Sequence, residues 1–187
     1  MSSRSETLLQ KKQKVQSPQK TTQQLLRIST LVSLGLVLFI FESYIPRPLP
    51  WMKPGFANIA TVLALYIYGF RTGIVVTFLR VVIASLVLGT FLNPAFFLAI
   101  GGGITATCMM GGIITFWPHQ FSVIGVSIAG AFFHNTMQII LAATIVIGNM
   151  QIFYLLPALM LSSILTGFIV GIIVLVMLQK IWAKEMG

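Results

Sequence analysis

Residues 42–58 read Glu42-Ser43-Tyr44-Ile45-Pro46-Arg47-Pro48-Leu49-Pro50-Trp51-Met52-Lys53-Pro54-Gly55-Phe56-Ala57-Asn58, and the four prolines in this stretch decide how the chain on either side is read. Proline fixes φ near −65° and has no N–H to give a helix, so Pro46, Pro48, Pro50 and Pro54 favour a stiff extended connection. Long apolar runs flank the stretch. The chain therefore turns here, outside the hydrocarbon, between two spans. Glu42, Lys53 and Asn58 fall near the ends of those spans, where polar side chains can point into a cavity shared with other helices.

Working outward, 57% of the 187 residues are hydrophobic, 8% are charged and the mean hydropathy is +0.95, which is too apolar for an ordinary soluble surface. The apolar runs approach the roughly 20 residues that cross about 30 Å of hydrocarbon as helix, and they lack the short alternating segments of a barrel. The expected fold is an all-α membrane protein, a compact bundle of about six transmembrane helices in the cell membrane. A lone Cys108 excludes an internal disulfide and reads as a small packing residue.

The net charge of +9 is placed for lipid, not nucleic acid. Lys11, Lys12, Lys14, Lys20 and Arg27 crowd the N-terminal segment without interleaved aromatics, and Lys180 and Lys184 lie near the other end. Charge beside membrane spans puts both termini in the cytoplasm. Residues 1–24 read as a disordered basic tail that touches anionic lipid, residues 25–180 as the six-helix domain, and 181–187 as a short cytoplasmic tail. The spans run over about 25–44, 56–70, 72–91, 95–117, 121–147 and 152–177. Asn93-Pro94 reads as an N-cap with proline at the first helical position. Gly101-Gly102-Gly103 marks either close packing or a broken helix, Pro157 is expected to kink the last span, and Gly167 with Gly171 forms a small-xxx-small contact face.

Arg80 is the most informative residue. Nine residues beyond Arg71 at 1.5 Å each place it roughly 13 Å deep, where an arginine is unfavourable by about 2.5–3.5 kcal/mol unless it meets protein, water or an anion. Its companion is either an internal partner, Glu42 or helix carbonyls, or an anionic group of a ligand. On the fifth span Ser127, Ala131, His134 and Gln138 recur at three- and four-residue spacing, with Asn135 beside them, so the stripe faces the bundle interior. Asn58 and Thr61 repeat the pattern more weakly on the second span.

Enzymatic constellations fare poorly. The acids are Glu6, Glu42 and Glu185, with no Asp at all, so no paired carboxylates and no carboxylate cluster for Mg²⁺ are available. His119, His134 and Cys108 do not make a zinc site, and no P-loop is present. The chain is expected to be neither an enzyme nor a carrier of a metal or cofactor.

Three runs carry a family likeness: Ile45-Pro46 with Lys53-Pro54-Gly55-Phe56-Ala57-Asn58, then Arg80-Val81-Val82 with Leu88-Gly89, then Gly125-Val126-Ser127-Ile128-Ala129-Gly130-Ala131-Phe132-Phe133-His134-Asn135 with Gln138. Together they resemble the Gx transporter family, historically labelled heptaprenyl diphosphate synthase component I, over nearly everything after the tail. Thr136-Met137 departs from it, where a small residue usually precedes the glutamine. That family is similar to the S components of energy-coupling factor transporters. The resemblance implies a substrate site toward the outside, lined by Glu42, Lys53, Asn58, Arg80, His134, Asn135 and Gln138. It also implies a coupling subunit and two ATPase subunits as partners. The first span carries only Ser29 and Ser33 where such proteins have an alanine-rich docking face. The function expected is therefore a substrate-binding subunit that takes up a small anionic or amphipathic molecule, vitamin-like, quinone-precursor or isoprenoid-related. The alternative is a non-catalytic membrane partner of a prenyl diphosphate synthase or a flavin-linked redox system.

Overall fold

Inside lipid the backbone N–H and C=O groups of an apolar run find partners only within their own helix or a closed barrel. The computed structural model takes the first course: it describes residues 2–45 and 55–186, with side chains over 22–45 and 55–184, and every regular element among them is helical. The connection that carries Arg47 and Lys53 lies outside the described residues. Two compact units are distinguished, residues 1–30 and 31–187. In the first, the backbone is helical from Ser2 through the stretch for which composition predicts disorder. The second contains the cavity described below.

Six α-helices are described: α1 (Ser2–Tyr44), α2 (Asn58–Tyr68), α3 (Phe70–Val87), α4 (Pro94–Phe116), α5 (Val123–Leu141) and α6 (Leu156–Met186). Five stretches are long and apolar enough to cross a membrane: Thr22–Tyr44, Phe70–Val87, Pro94–Phe116, Val123–Ile147 and Met150–Lys184. The chain is an all-α membrane protein. The expected second span is the exception, because α2 has 11 residues and covers only about 16 Å. Its first eight residues, Asn58–Leu65, are all buried, so protein surrounds it where lipid surrounds a full span. Gly69 alone joins α2 to α3. Its φ of 84° and ψ of −179° lie in a region essentially restricted to glycine, which permits so abrupt a junction.

Local signals explain most of the other boundaries. Asn93 caps α4 by accepting a hydrogen bond from the Phe96 N–H at 3.2 Å, with Pro94 following it as expected. Ser122 caps α5 through the Gly125 N–H at 3.2 Å. α5 then widens into a π-helical segment, Ala142–Ile147, and a 3₁₀ segment, Met150–Leu155, leads into α6. Small Ala142 and Ala143 are buried there against Leu98, Ile139, Ile152 and Leu159. Pro157 is the second residue of α6, beside the junction where the 3₁₀ segment gives way to α-helix.

The triple glycine resolves in favour of close packing, since α4 is unbroken from Pro94 to Phe116. A Cβ on Gly102 would stand 2.9 Å from Gln138 Cγ and 3.1 Å from both His134 Cε1 and the His134 carbonyl oxygen. Gly167 and Gly171 bring α6 onto the α5 backbone in the same way: a Cβ there would lie 2.6 Å from Ile128 Cα and 2.7 Å from Ile124 Cα. Such approach is how helices associate where water supplies no hydrophobic drive. Phe39 of α1, Val81 and Ala84 of α3, and Phe96 and Ala99 of α4 form an apolar cluster. Three of these, Phe39, Val81 and Ala99, also form part of the wall of the candidate site.

Candidate functional site

Arg80 is the eleventh residue of the 18 in α3 and is 2% exposed. Its neighbours on the buried face are Val76, Thr77, Val81 and Ala84, which offer a guanidinium no charge. The room for its stem comes from α1: a Cβ on Gly35 would come within 2.7 Å of Arg80 Cδ and 3.4 Å of Cγ. Arg80 Nη2 donates to Asn58 Oδ1 at 3.3 Å, and Nε, fully buried, has no hydrogen-bond partner among the described residues. A buried donor left in that state is unfavourable by about 1–3 kcal/mol.

Glu42, 1% exposed, is the coulombic counterpart of Arg80. It ends the buried part of α1, and one of its carboxylate oxygens accepts a hydrogen bond from the Ala57 N–H at 3.3 Å. This contact ties together the two sides of the proline-rich connection, just ahead of α2. Around the two charges lies a small cavity lined by Phe39, Glu42, Gly55, Ala57, Asn58, Arg80, Val81, Ala99, His134 and Gln138. Five helices, α1 to α5, and the residues preceding α2 thus converge on one small polar space within an apolar protein. Space for the centres of water molecules amounts to only about 20 Å³, enough for about one water. A larger ligand enters only if the lining side chains move apart.

The α5 stripe divides between two cavities. His134 and Gln138 reach the one that holds Arg80, whereas Ser127 and Ala131 line a smaller one with Gly55, Asn58, Thr166, Gly167 and Val170. Asn58 and Gly55 belong to both. Asn135 belongs to neither lining: its amide nitrogen donates to Ser163 Oγ on α6 at 2.8 Å, and Ser163 Oγ donates in turn to the Leu159 carbonyl at 2.7 Å. Asn135 therefore joins two helices. Because Ser163 keeps a carbonyl partner of its own, Asn135→Ala is expected to lower stability by only about 0.5–1 kcal/mol in thermal unfolding of the purified protein, with ligand retention unchanged. Lost retention at unchanged stability would return Asn135 to the site.

A hydroxyl ladder stands one turn away from Arg80. Thr107 Oγ1 donates to the Gly103 carbonyl at 2.8 Å, Thr77 lies 2.9 Å from Thr107, and Thr61 lies 2.9 Å from Thr77. Since a hydroxyl has one proton, the first bond fixes the direction of the others, from Thr61 to Thr77 to Thr107. This couples α2, α3 and α4 beneath the guanidinium.

Glu42, Asn58, Arg80, His134 and Gln138, singled out from sequence, are thus brought together, Asn135 is turned aside, and Lys53 lies outside the described residues. Gly35, Ser163 and the Thr77–Thr107 pair carry no sequence signal, because glycine and the small hydroxylated residues are common throughout membrane helices. Among the described residues no three His, Cys, Asp or Glu side chains gather as a metal site.

No curated protein and no solved structure matches the chain. A family model described as heptaprenyl diphosphate synthase component I matches residues 31–177. That range holds Gly35 and every residue that lines the cavity, and the chain belongs to the heptaprenyl diphosphate synthase component I family.

Proposed function

We propose that the protein is a substrate-binding subunit of a transport system, of the S-component kind, that takes up a small anionic or amphipathic molecule across the cell membrane. Vitamin-like, quinone-precursor and isoprenoid-related compounds are the candidate classes. The observation that carries this reading is the convergence of Glu42, Asn58, Arg80, His134 and Gln138 on one buried cavity. Ionisable groups inside membrane spans are unfavourable and therefore mark substrate paths by default. In this reading both termini are cytoplasmic, and a coupling subunit with two ATPase subunits supplies the energy.

The family's description favours a second reading, a non-catalytic membrane partner of a prenyl diphosphate synthase, with a flavin-linked redox system as the other partner of that kind. A catalytic synthase role is not proposed, because trans-prenyl synthases hold diphosphate through Mg²⁺ on aspartate-rich motifs and the chain has no Asp. Mass spectrometry of small molecules that purify with the protein tests the transport reading, together with cellular uptake of the molecule found. A retained molecule whose uptake requires this chain and an ATPase module is expected. Membrane lipid alone, with uptake indifferent to the chain, would sink the transport reading.

A further inference from the structure

The two cavities meet at Asn58. Among the described lining residues, Gly55 and Asn58 belong to both. On α5 the two walls form one line: Ser127 and Ala131 in the smaller cavity, His134 and Gln138 in the larger, at spacings of four, three and four residues that keep them on one helical face. From Ser127 to Gln138 that line is about 16 Å long. Among the described residues the Asn58 side chain is held by one hydrogen bond, from Arg80 Nη2 to its Oδ1 at 3.3 Å, longer than the usual range of about 2.7–3.2 Å. Gly55, with φ of 84°, puts no side chain beside that amide: a Cβ there would stand 3.7 Å from Asn58 Nδ2.

The chemistry of the two spaces differs. The larger one holds the Arg80 guanidinium, whose buried Nε has no hydrogen-bond partner among the described residues. The smaller one is walled by Ala131, Gly167 and Val170, and its Thr166 hydroxyl already donates to the Ser162 carbonyl at 2.9 Å. α5 and α6 press together at Gly167, where a Cβ would stand 2.6 Å from Ile128 Cα, so this space suits a chain and not a ring. One end lacks an oxygen acceptor, and the other offers slender apolar walls.

We propose that the two cavities are halves of one site joined through Asn58, and that its ligand has a carboxylate-like head on Arg80 and a slender aliphatic tail of a few carbons beside Ala131, Gly167 and Val170. The proposal rests on the binding-subunit reading and narrows its substrate to short-chain acids. The head opens the way for the tail. Nε–H and the adjacent Nη2 N–H form one edge of the guanidinium, and a carboxylate takes such an edge through two parallel hydrogen bonds. Seated there, it displaces the single neutral oxygen of Asn58 from Nη2. The freed side chain turns away from the junction, and the tail passes into the smaller cavity.

Acetate, butyrate and hexanoate, titrated into the full chain in detergent over the same millimolar range, test this with thermal unfolding as the readout. Apparent affinity is expected to rise about fourfold for each methylene that enters the smaller cavity, so at equal concentration hexanoate raises the midpoint more than butyrate, and butyrate more than acetate. Ala131→Leu fills the seat of the tail and is expected to bring the three probes to one affinity. If that variant does not fold, Ala131→Val fills less of the seat and should make butyrate bind more tightly than hexanoate. Equal affinities on the wild-type protein, or a chain-length series unchanged in the Ala131 variant, overturn the joined site and leave the binding-subunit reading standing. The absence of any shift overturns the joined site as well, and the co-purified molecule then decides the wider reading by itself.

Discussion

Arg80→Ala is expected to empty the site, with an affinity loss of about 100-fold or more for the molecule that purifies with the wild-type protein. The guanidinium is the one cation among the described cavity residues, and losing a charge-assisted, desolvated contact of this kind removes about 2–5 kcal/mol. The same substitution strips Glu42 of its coulombic counterpart, so part of the effect appears as lower stability. Arg80→Gln, which keeps length and polarity, controls for that: it should unfold closer to the wild-type temperature yet retain no ligand. Deleting residues 1–24 should leave binding intact. A membrane tether would reverse the pattern, tolerating Arg80→Ala and failing without its basic tail.

Gly167→Val is expected to have the largest effect on folding. A Cβ at this position already falls 2.6 Å from Ile128 Cα and 3.0 Å from the Ile128 backbone nitrogen, and a backbone has no rotamer by which to withdraw. Overpacking of this sort is destabilising by about 1–3 kcal/mol or more, and Gly167→Val with Gly171→Val should separate α5 from α6 altogether. Thermal unfolding in detergent checks this, with Gly112→Ala as the comparison. Nothing lies within 4 Å of a Cβ on Gly112, so that change should be neutral or stabilising by up to about 1 kcal/mol. A Gly167→Val protein as stable as wild type would mean that α6 does not depend on this approach.

How much of this was legible in the sequence follows from where composition leaves little freedom. A stretch such as Leu155–Leu178 has one fate in lipid, so the helical class and the span positions are readable. Asn93-Pro94 announces its helix start because capping is local chemistry. Polar residues in apolar runs announce themselves too, which is why Glu42, Asn58, Arg80, His134 and Gln138 could be named beforehand. Asn135 could not be separated from His134, although one position is about 100° of helix and decides whether a side chain meets the cavity or α6. Pro157 lies beside a change of helix type, from 3₁₀ to α at Leu156, which the apolar run 152–177 does not reveal. The π-helical turn at Ala142–Ile147 and the place of Gly35 under Arg80 depend on neighbours far away in the chain, which no local pattern encodes.

The short α2 bears on how the protein is made. At about 16 Å it covers roughly half of the hydrocarbon thickness, with Asn58 and Thr61 among its buried residues, so bilayer partitioning by itself does not hold it in place. Its contacts include α3, α4 and α6, and α6 is the last helix in the chain. During synthesis α2 therefore leaves the ribosome long before the surfaces that shelter it exist. Its final seat is an assembly step that waits for the C-terminal half, and the smaller cavity, which Thr166, Gly167 and Val170 help to line, cannot be complete until α6 has docked.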